Sequence, residues 1–395
     1  MNISKKLSLL HFVSLFAFTA VTTVRAVCPV IRPVLEGNYI PVNPQQGENL
    51  WQMTDRIGSS LDTVGPMIAQ SASELNDLAY TSSLCCPCLC FITQADVPNY
   101  IITEPGVYCV AEPITLGNAM GSYVIDVQAD NVVIDFRGNK ISVSNSAAIV
   151  HIGDGHRGVV IKNAFIDVAA VTGFLIEGSA YDIVIENCHI RNTSGIGLSS
   201  SFSRNILIEN CVAYDCFSYG FNVQNAAREV TFRNCRTSNN GQGGFNPAFR
   251  VNNECTNVTF DSCYSYDNNG DGFLADLTSS AIVYLNCQAN INFGSGFVID
   301  SNDTRIQNCV SFFNSTHGFS INPSAFATSY IEVVGSVAYR NAAIGIRNGL
   351  LARSFVFNCV AAGNTTSDYL NVTAATLIAP ASVTTATGYW SNIDG

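Results

Sequence analysis

Charge is scarce in this chain. Only 12% of its 395 residues are Asp, Glu, Lys or Arg, and the shortage is greatest on the basic side, where 19 Lys and Arg stand against 30 acids for a formal net charge of −11. Phosphate neutralisation needs clustered Lys and Arg, so nucleic acid is excluded as a partner. Beyond the first twenty residues no apolar run is long enough to cross a bilayer, which excludes a later membrane span. The composition of a disordered chain is missing too: hydrophobic residues make up 47%, enough for a continuous core.

What is present begins with a leader. Lys5 and Lys6, the apolar run Leu7 to Ala20 and the ending Val24-Arg25-Ala26 read as a secretory signal peptide over residues 1–26, so the expected location is secreted or cell surface, extracellular or periplasmic. Residues 27–99 then form a separate segment. Leu50, Met53, Ile57, Leu61, Val64, Ile68, Leu75 and Leu78 recur at helical spacing, interrupted at Gly58 and Gly65-Pro66, so short helices are expected over 48–80. They would cap the domain that follows or join copies into a homo-oligomer. The dense Cys85-Cys86-Pro87-Cys88-Leu89-Cys90 run reads as a disulfide staple, with a metal clip as the alternative.

From Asn163 onward the chain repeats. VIKNAF, VIENCH, LIENCV, TFRNCR, TFDSCY, VYLNCQ, RIQNCV, EVVGSV and FVFNCV place turn residues at Asn163, Asn187, Asn210, Asn234, Ser262, Asn286, Asn308, Gly335 and Asn358. The steps are 24, 23, 24, 28, 24, 22, 27 and 23 residues. Ten residues after each of the first eight stands a glycine followed by a large apolar residue, as in Gly173-Phe174, Gly244-Phe245 and Gly296-Phe297. A fixed span and one variable connection are expected of a stacked solenoid, with the length variation after the glycine strand. Alternation at Ile183, Ile185, Cys188 and Ile190, with a shift of phase at Asn187, reads as strand, corner, strand. Asn and Gly suit such corners because they reach the left-handed conformation most easily.

These motifs resemble the right-handed parallel β-helix superfamily of pectin and pectate lyases, polygalacturonases, alginate epimerases and phage tailspikes. The fold class implied is all-β, a single-stranded right-handed parallel β-helix of about ten coils with three short strands per coil. The repeat places it over 100–365, with a tail over 366–395. Relatives include enzymes of several classes and proteins without catalysis, so the fold does not choose a function.

Two ladders are expected within the stack. Asn187, Asn210, Asn234, Asn286, Asn308 and Asn358 share the corner, and Cys188, Cys211, Cys235, Cys263, Cys287, Cys309 and Cys359 share the inward position after it. Parallel side chains one coil apart, about 4.8 Å, do not converge as a disulfide requires, so the thiols should be free and buried. Six residues past the corner, Asn240, Asn268, Asn292, Asn314, Asn341 and Asn364 should stack amide to amide.

The resemblance directs attention to the outer face of one sheet. If Phe273, Ala275, Phe297 and Ile299 point inward, then Asp276 and Asp300 point outward on adjacent coils, in a column running Glu177, Ser201, Gln224, Ala248, Asp276, Asp300, Asn322 and Gly349. Two carboxylates about 5 Å apart can share a proton, hold a Ca²⁺ or act as the two acids of a retaining glycosidase. Asp276 and Asp300 are therefore the candidate catalytic pair, with Asn322, Arg347 and Gln224 as substrate-binding neighbours. No cofactor is required, and Ca²⁺ is the one the pair would admit. Polysaccharide or cell-surface glycan is the expected partner, processed by a hydrolase or lyase if at all. A non-catalytic adhesin or structural rod is the alternative, because polygalacturonase motifs are echoed only in Thr316-His317-Gly318.

Overall fold

In the computed structural model the described residues are Cys88, most of 90–370, and the backbone of Leu377–Ile378. Short stretches at 118, 120–122, 154, 168–171, 194–195, 323–329 and 350–352 are not described. The leader, the helical pattern over 48–80, Cys85, Cys86 and most of the tail lie outside the described residues. The chain divides into a unit Met1–Cys90 and a unit Phe91–Gly395; the second carries the solenoid.

It is a right-handed parallel β-helix. Strands recur in threes, each pairing in parallel with its equivalent one coil on, to give sheets of 13, 11 and 12 strands. One coil illustrates the rest: Tyr181–Glu186 lies in the first sheet, His189–Arg191 in the second and Ile196–Ser201 in the third. No helix occurs among the described residues.

The corner between the first and second sheets falls where the repeat put it. Asn163, Asn187, Asn210, Asn234, Ser262, Asn286, Asn308, Gly335 and Asn358 all have φ between 52° and 58°. A second left-handed residue follows five positions later, at Asn192, Asp215, Asn239, Asp267, Ile291, Phe313 and Arg340. Sequence reasoning missed this second bend because Ile, Phe and Arg are poor candidates for the left-handed region. Stacking against neighbouring coils overrides that local preference.

Inside, the core is a set of columns. Phe221, Phe249, Phe273, Phe297 and Phe319 stack face to face at 5.2, 4.7, 4.8 and 4.9 Å between centroids. Phe232, Phe260 and Tyr284 form a second stack at 5.0 and 5.1 Å whose rings meet the first edge-on. Tyr284 ends this second stack with a fully buried hydroxyl that has no hydrogen-bond partner. An unmade buried hydrogen bond is costly, so Tyr284→Phe is expected to raise stability by about 1 kcal/mol. A urea midpoint below that of the parent would contradict this.

The cysteine column Cys188, Cys211, Cys235, Cys263, Cys287, Cys309 and Cys359 is buried and free. Each thiol lies against backbone carbonyls, as Cys235 Sγ donates to Ile208 O at 3.3 Å. Cys216 and Cys255 are also free and buried, and burial pushes their thiols up to about 11 and about 12. Cys88, Cys90 and Cys109 are disulfide-bonded.

The inner asparagine column runs unbroken. Asn240, Asn268, Asn292, Asn314 and Asn341 each donate from Nδ2 to the Oδ1 of the next, ending on Asn364, at 2.9–3.0 Å. The same oxygens accept the backbone N–H of the preceding asparagine. This column explains the recurring glycine. A methyl on Gly296 would sit 2.1 Å from Ser311 Oγ, 2.8 Å from Gly318 O and 3.0 Å from Asn314 Nδ2. The glycine makes room for the amide ladder and the next coil.

One coil departs from the expected register. Phe249, not Phe245, pairs with Phe221 and Phe273, and Phe245 is 68% exposed. The extra four residues of this coil lie between Arg236–Ser238 and Phe249–Val251, before the third-sheet strand rather than after it. Gly244-Phe245 copies the motif inside that inserted loop, while Ala248 takes the place that glycine fills elsewhere.

Candidate functional site

The outer face of the third sheet is built from every second residue of its strands. The register Phe273↔Phe297↔Phe319↔Ile346 puts Asp276, Asp300 and Asn322 on three consecutive coils of one column. Arg347 lies opposite Ser320 in the neighbouring column, one coil beyond Asn322. Gln224 is in the acidic column two coils before Asp276, and the coil between contributes Asn252 in place of the expected Ala248. All five candidate residues thus share one face.

The two aspartates have different surroundings. Asp276 is tied into its own turn: Oδ1 accepts from Thr278 N (3.2 Å), Thr278 Oγ1 (3.1 Å) and Ser279 Oγ (3.0 Å), and Oδ2 from Asn253 N (3.1 Å). Asp300 has Oδ1 buried without a hydrogen-bond partner. Burial raises its carboxyl above the usual range; Asp276 adds to this, while Asn322 and Arg347 oppose it. Asp271, at the edge of the same face, is also raised by burial, against a 2.6 Å hydrogen bond from Ser295 N. His317 is lowered by burial and then by Arg347; its Nδ1 accepts from Ile344 N at 3.3 Å. Asp271, Ser295 and His317 are linked through backbone N–H groups rather than as a triad.

Other residues on this face carried no signal in the repeat. Arg250 lies 4.8 Å above the Tyr219 ring and donates to its hydroxyl at 2.6 Å. With its amide turned to satisfy its neighbours, Asn252 accepts from Arg250 Nη2 at 3.1 Å. Phe245, in the inserted loop, stacks on Phe293 at 5.4 Å, and both are more than half exposed.

Four to six coils before Asp276 the face bears a second titratable cluster. His151 Nδ1 meets Asp126 Oδ1 at 2.7 Å and Nε2 meets Glu177 Oε1 at 3.1 Å. The Tyr123 ring stacks on the imidazole at 3.9 Å. Gly153 makes this arrangement fit, since a methyl there would stand 2.8 Å from His151 Cε1. The spacing of Asp126, His151 and Gly153 was the available signal, but these early coils lack the Asn-Cys corner that fixes register elsewhere.

Among the described residues no group of three or more His, Cys, Asp or Glu is placed to hold a metal ion, and no helix is long and apolar enough to cross a membrane.

Comparison with known proteins agrees with the architecture. The family described as right handed beta helix region matches residues 123–287. A mutant of the periplasmic alginate epimerase AlgG superposes with a TM-score of 0.52 at 13% identity, covering 71% of this chain and 80% of that one. The catalytic domain of a GH87 alpha-1,3-glucanase in complex with nigerose gives 0.54 at 13% identity, covering 73% of this chain and 62% of that one. At such identities the likeness is one of fold. No match was found among curated proteins.

Proposed function

We propose that this chain is an exported β-helix protein that binds polysaccharide along the outer face of its third sheet and acts on it there through Asp300. The observation that carries the reading is Asp300 itself. It is a half-buried carboxyl with one oxygen unpartnered, flanked by Arg347 and Asn322. A carboxyl raised by burial is suited to hold a proton and deliver it to a glycosidic oxygen. Asp276, one coil away, is the neighbouring carboxylate; a spacing of about 5 Å is that of retaining glycosidases. The Arg250–Tyr219 pair offers a flat surface on the same face, and Phe245 and Phe293 offer another where the chain enters the third sheet. The glycan-processing relatives of like fold agree with this class of substrate. Export is supported by the leader and by disulfide-bonded cysteines, which suit an oxidising compartment.

One observation favours a second reading, an adhesin or structural rod. Asp276 is spent on four hydrogen bonds, three that close its own turn and one from Asn253 on the preceding coil, so it is a weak candidate for nucleophile.

Asp300→Asn separates the two. Under the first reading, binding on a glycan panel persists and reducing-end release is lost; under the second, neither parent nor variant releases reducing ends. The variant also has a pH signature. Because the folded-state carboxyl is raised, ionisation disfavours the fold: its stabilising contribution is full at low pH and is lost as pH rises through the raised value. Asp300→Asn should therefore melt above the parent at neutral pH, with the difference vanishing near about pH 3. Equal melting at all pH values would remove the claim that this carboxyl is held in a costly environment.

A further inference from the structure

The outer corner between the first and second sheets carries asparagines on successive coils. Asn210 Nδ2 donates to Asn187 Oδ1 at 3.3 Å and Asn234 Nδ2 to Asn210 Oδ1 at 2.7 Å. The run stops at Ser262. Its shorter side chain turns aside, Oγ donating to Asp261 Oδ1 at 3.0 Å, and Asn286 on the following coil reaches the same oxygen only at 3.5 Å. The space an asparagine amide would fill is left open, and a notch of about 340 Å³ lies between Asn234 and Asn286. These two stand two coil spacings apart, about 9.6 Å. Arg236, Tyr264 and Gln288 line it in register from the second sheet, and buried Cys263 lies beneath.

The chemistry of the lining is specific. Asn234, Asn286 and Gln288 supply carboxamides, each both donor and acceptor, which suit the paired hydroxyls of a sugar. Tyr264 supplies a ring against which an apolar sugar face can lie. Arg236 is exposed and has no ion-pair partner among the described residues, and its guanidinium fork matches a carboxylate. Asp261 beside the notch disfavours a group that concentrates two charges, such as a phosphate, more than a carboxylate, which brings one charge per sugar unit.

We propose that the Ser262 notch is a second saccharide-binding site, which takes one or two units of a uronic-acid-bearing chain. It lies on a different side of the coil from the Asp300 face and does not depend on the function proposed there.

Ser262→Asn provides the test, because asparagine suits the left-handed backbone at this position (φ 56°) and would carry the ladder through the notch. The variant should unfold no earlier than the parent. In calorimetric titration of the full chain with digalacturonate, the parent is expected to bind at about millimolar or tighter and Ser262→Asn at least about tenfold more weakly. Arg236→Gln should reduce the affinity for digalacturonate to that for neutral cellobiose. Asp300→Asn should leave binding unchanged. Undiminished binding by Ser262→Asn, absence of binding by the parent, or loss of binding in Asp300→Asn would each overturn the proposal. Failure of the third-sheet reading would instead show only in glycan release.

Discussion

Asn292→Leu is expected to cost the fold about 3–5 kcal/mol, since it strips several buried groups of their partners at once. Asn292 Oδ1 accepts from Asn268 N (3.2 Å), Asn268 Nδ2 (2.9 Å) and Ser265 Oγ (3.0 Å), while its Nδ2 donates to Asn314 Oδ1 (3.0 Å). Leucine is close in size, so little of the loss comes from a cavity. The Asn268 backbone N–H is left facing hydrocarbon in a site that water does not reach, where Asn292 is 0% exposed. A urea unfolding curve with an unchanged midpoint would show that the amide ladder contributes nothing beyond filling space.

Phe273→Ala is expected to cost a similar amount, about 3–5 kcal/mol, by a different route. The ring sits between Phe249 at 4.7 Å and Phe297 at 4.8 Å and receives the edges of Phe260 and Tyr284 at 5.7 Å. Truncation leaves a cavity bounded by four aromatic rings, none of which can move without breaking its own stack. A solenoid is held together by nearest-neighbour interfaces, so damage at one coil weakens the coupling between the coils before and after it. The variant should therefore unfold in two steps where the parent unfolds in one. A single transition at the parental midpoint would mean that coupling runs mainly through the backbone ladders of the three sheets.

The readable parts of the sequence were those that a stacked fold repeats. Asn187, Asn210 and their equivalents announced the corner because left-handed backbone tolerates few residue types, and Phe273 and Phe297 announced the interior because alternation has a period of two. The failures have equally local causes. Gly244-Phe245 imitates the strand motif inside an insertion, and pairing with Phe221 and Phe273, invisible in one dimension, selects Phe249 instead. Ile291 and Phe313 adopt left-handed backbone against their own preference, which only the neighbouring coils impose. The glycine column was legible, but its reason was not: the crowding at Gly296 comes from a side chain and a carbonyl of later coils.

On the candidate face, the repeat placed Asp276, Asp300 and Asn322 in one line because their offset from the glycine is constant. It gave no hint that Asp276 would be consumed by Thr278 and Ser279 while Asp300 kept a bare oxygen. That difference arises in the turn after the strand, where residues two and three positions on decide which carboxylate is satisfied. The His151 cluster escaped notice for the complementary reason, since its members meet only through a register that the early coils do not spell out.

The thiol column has a bearing on how the molecule withstands oxidation. Among the described residues nine reduced cysteines survive beside disulfide-bonded ones, because each is shut away before an oxidant can reach it. The wound state is thus the sole protection the sulfurs have. Once several coils open in air, freed thiolates would pair at random and bar the way back. Durability then rests less on the depth of the native minimum than on how seldom the rod unwinds.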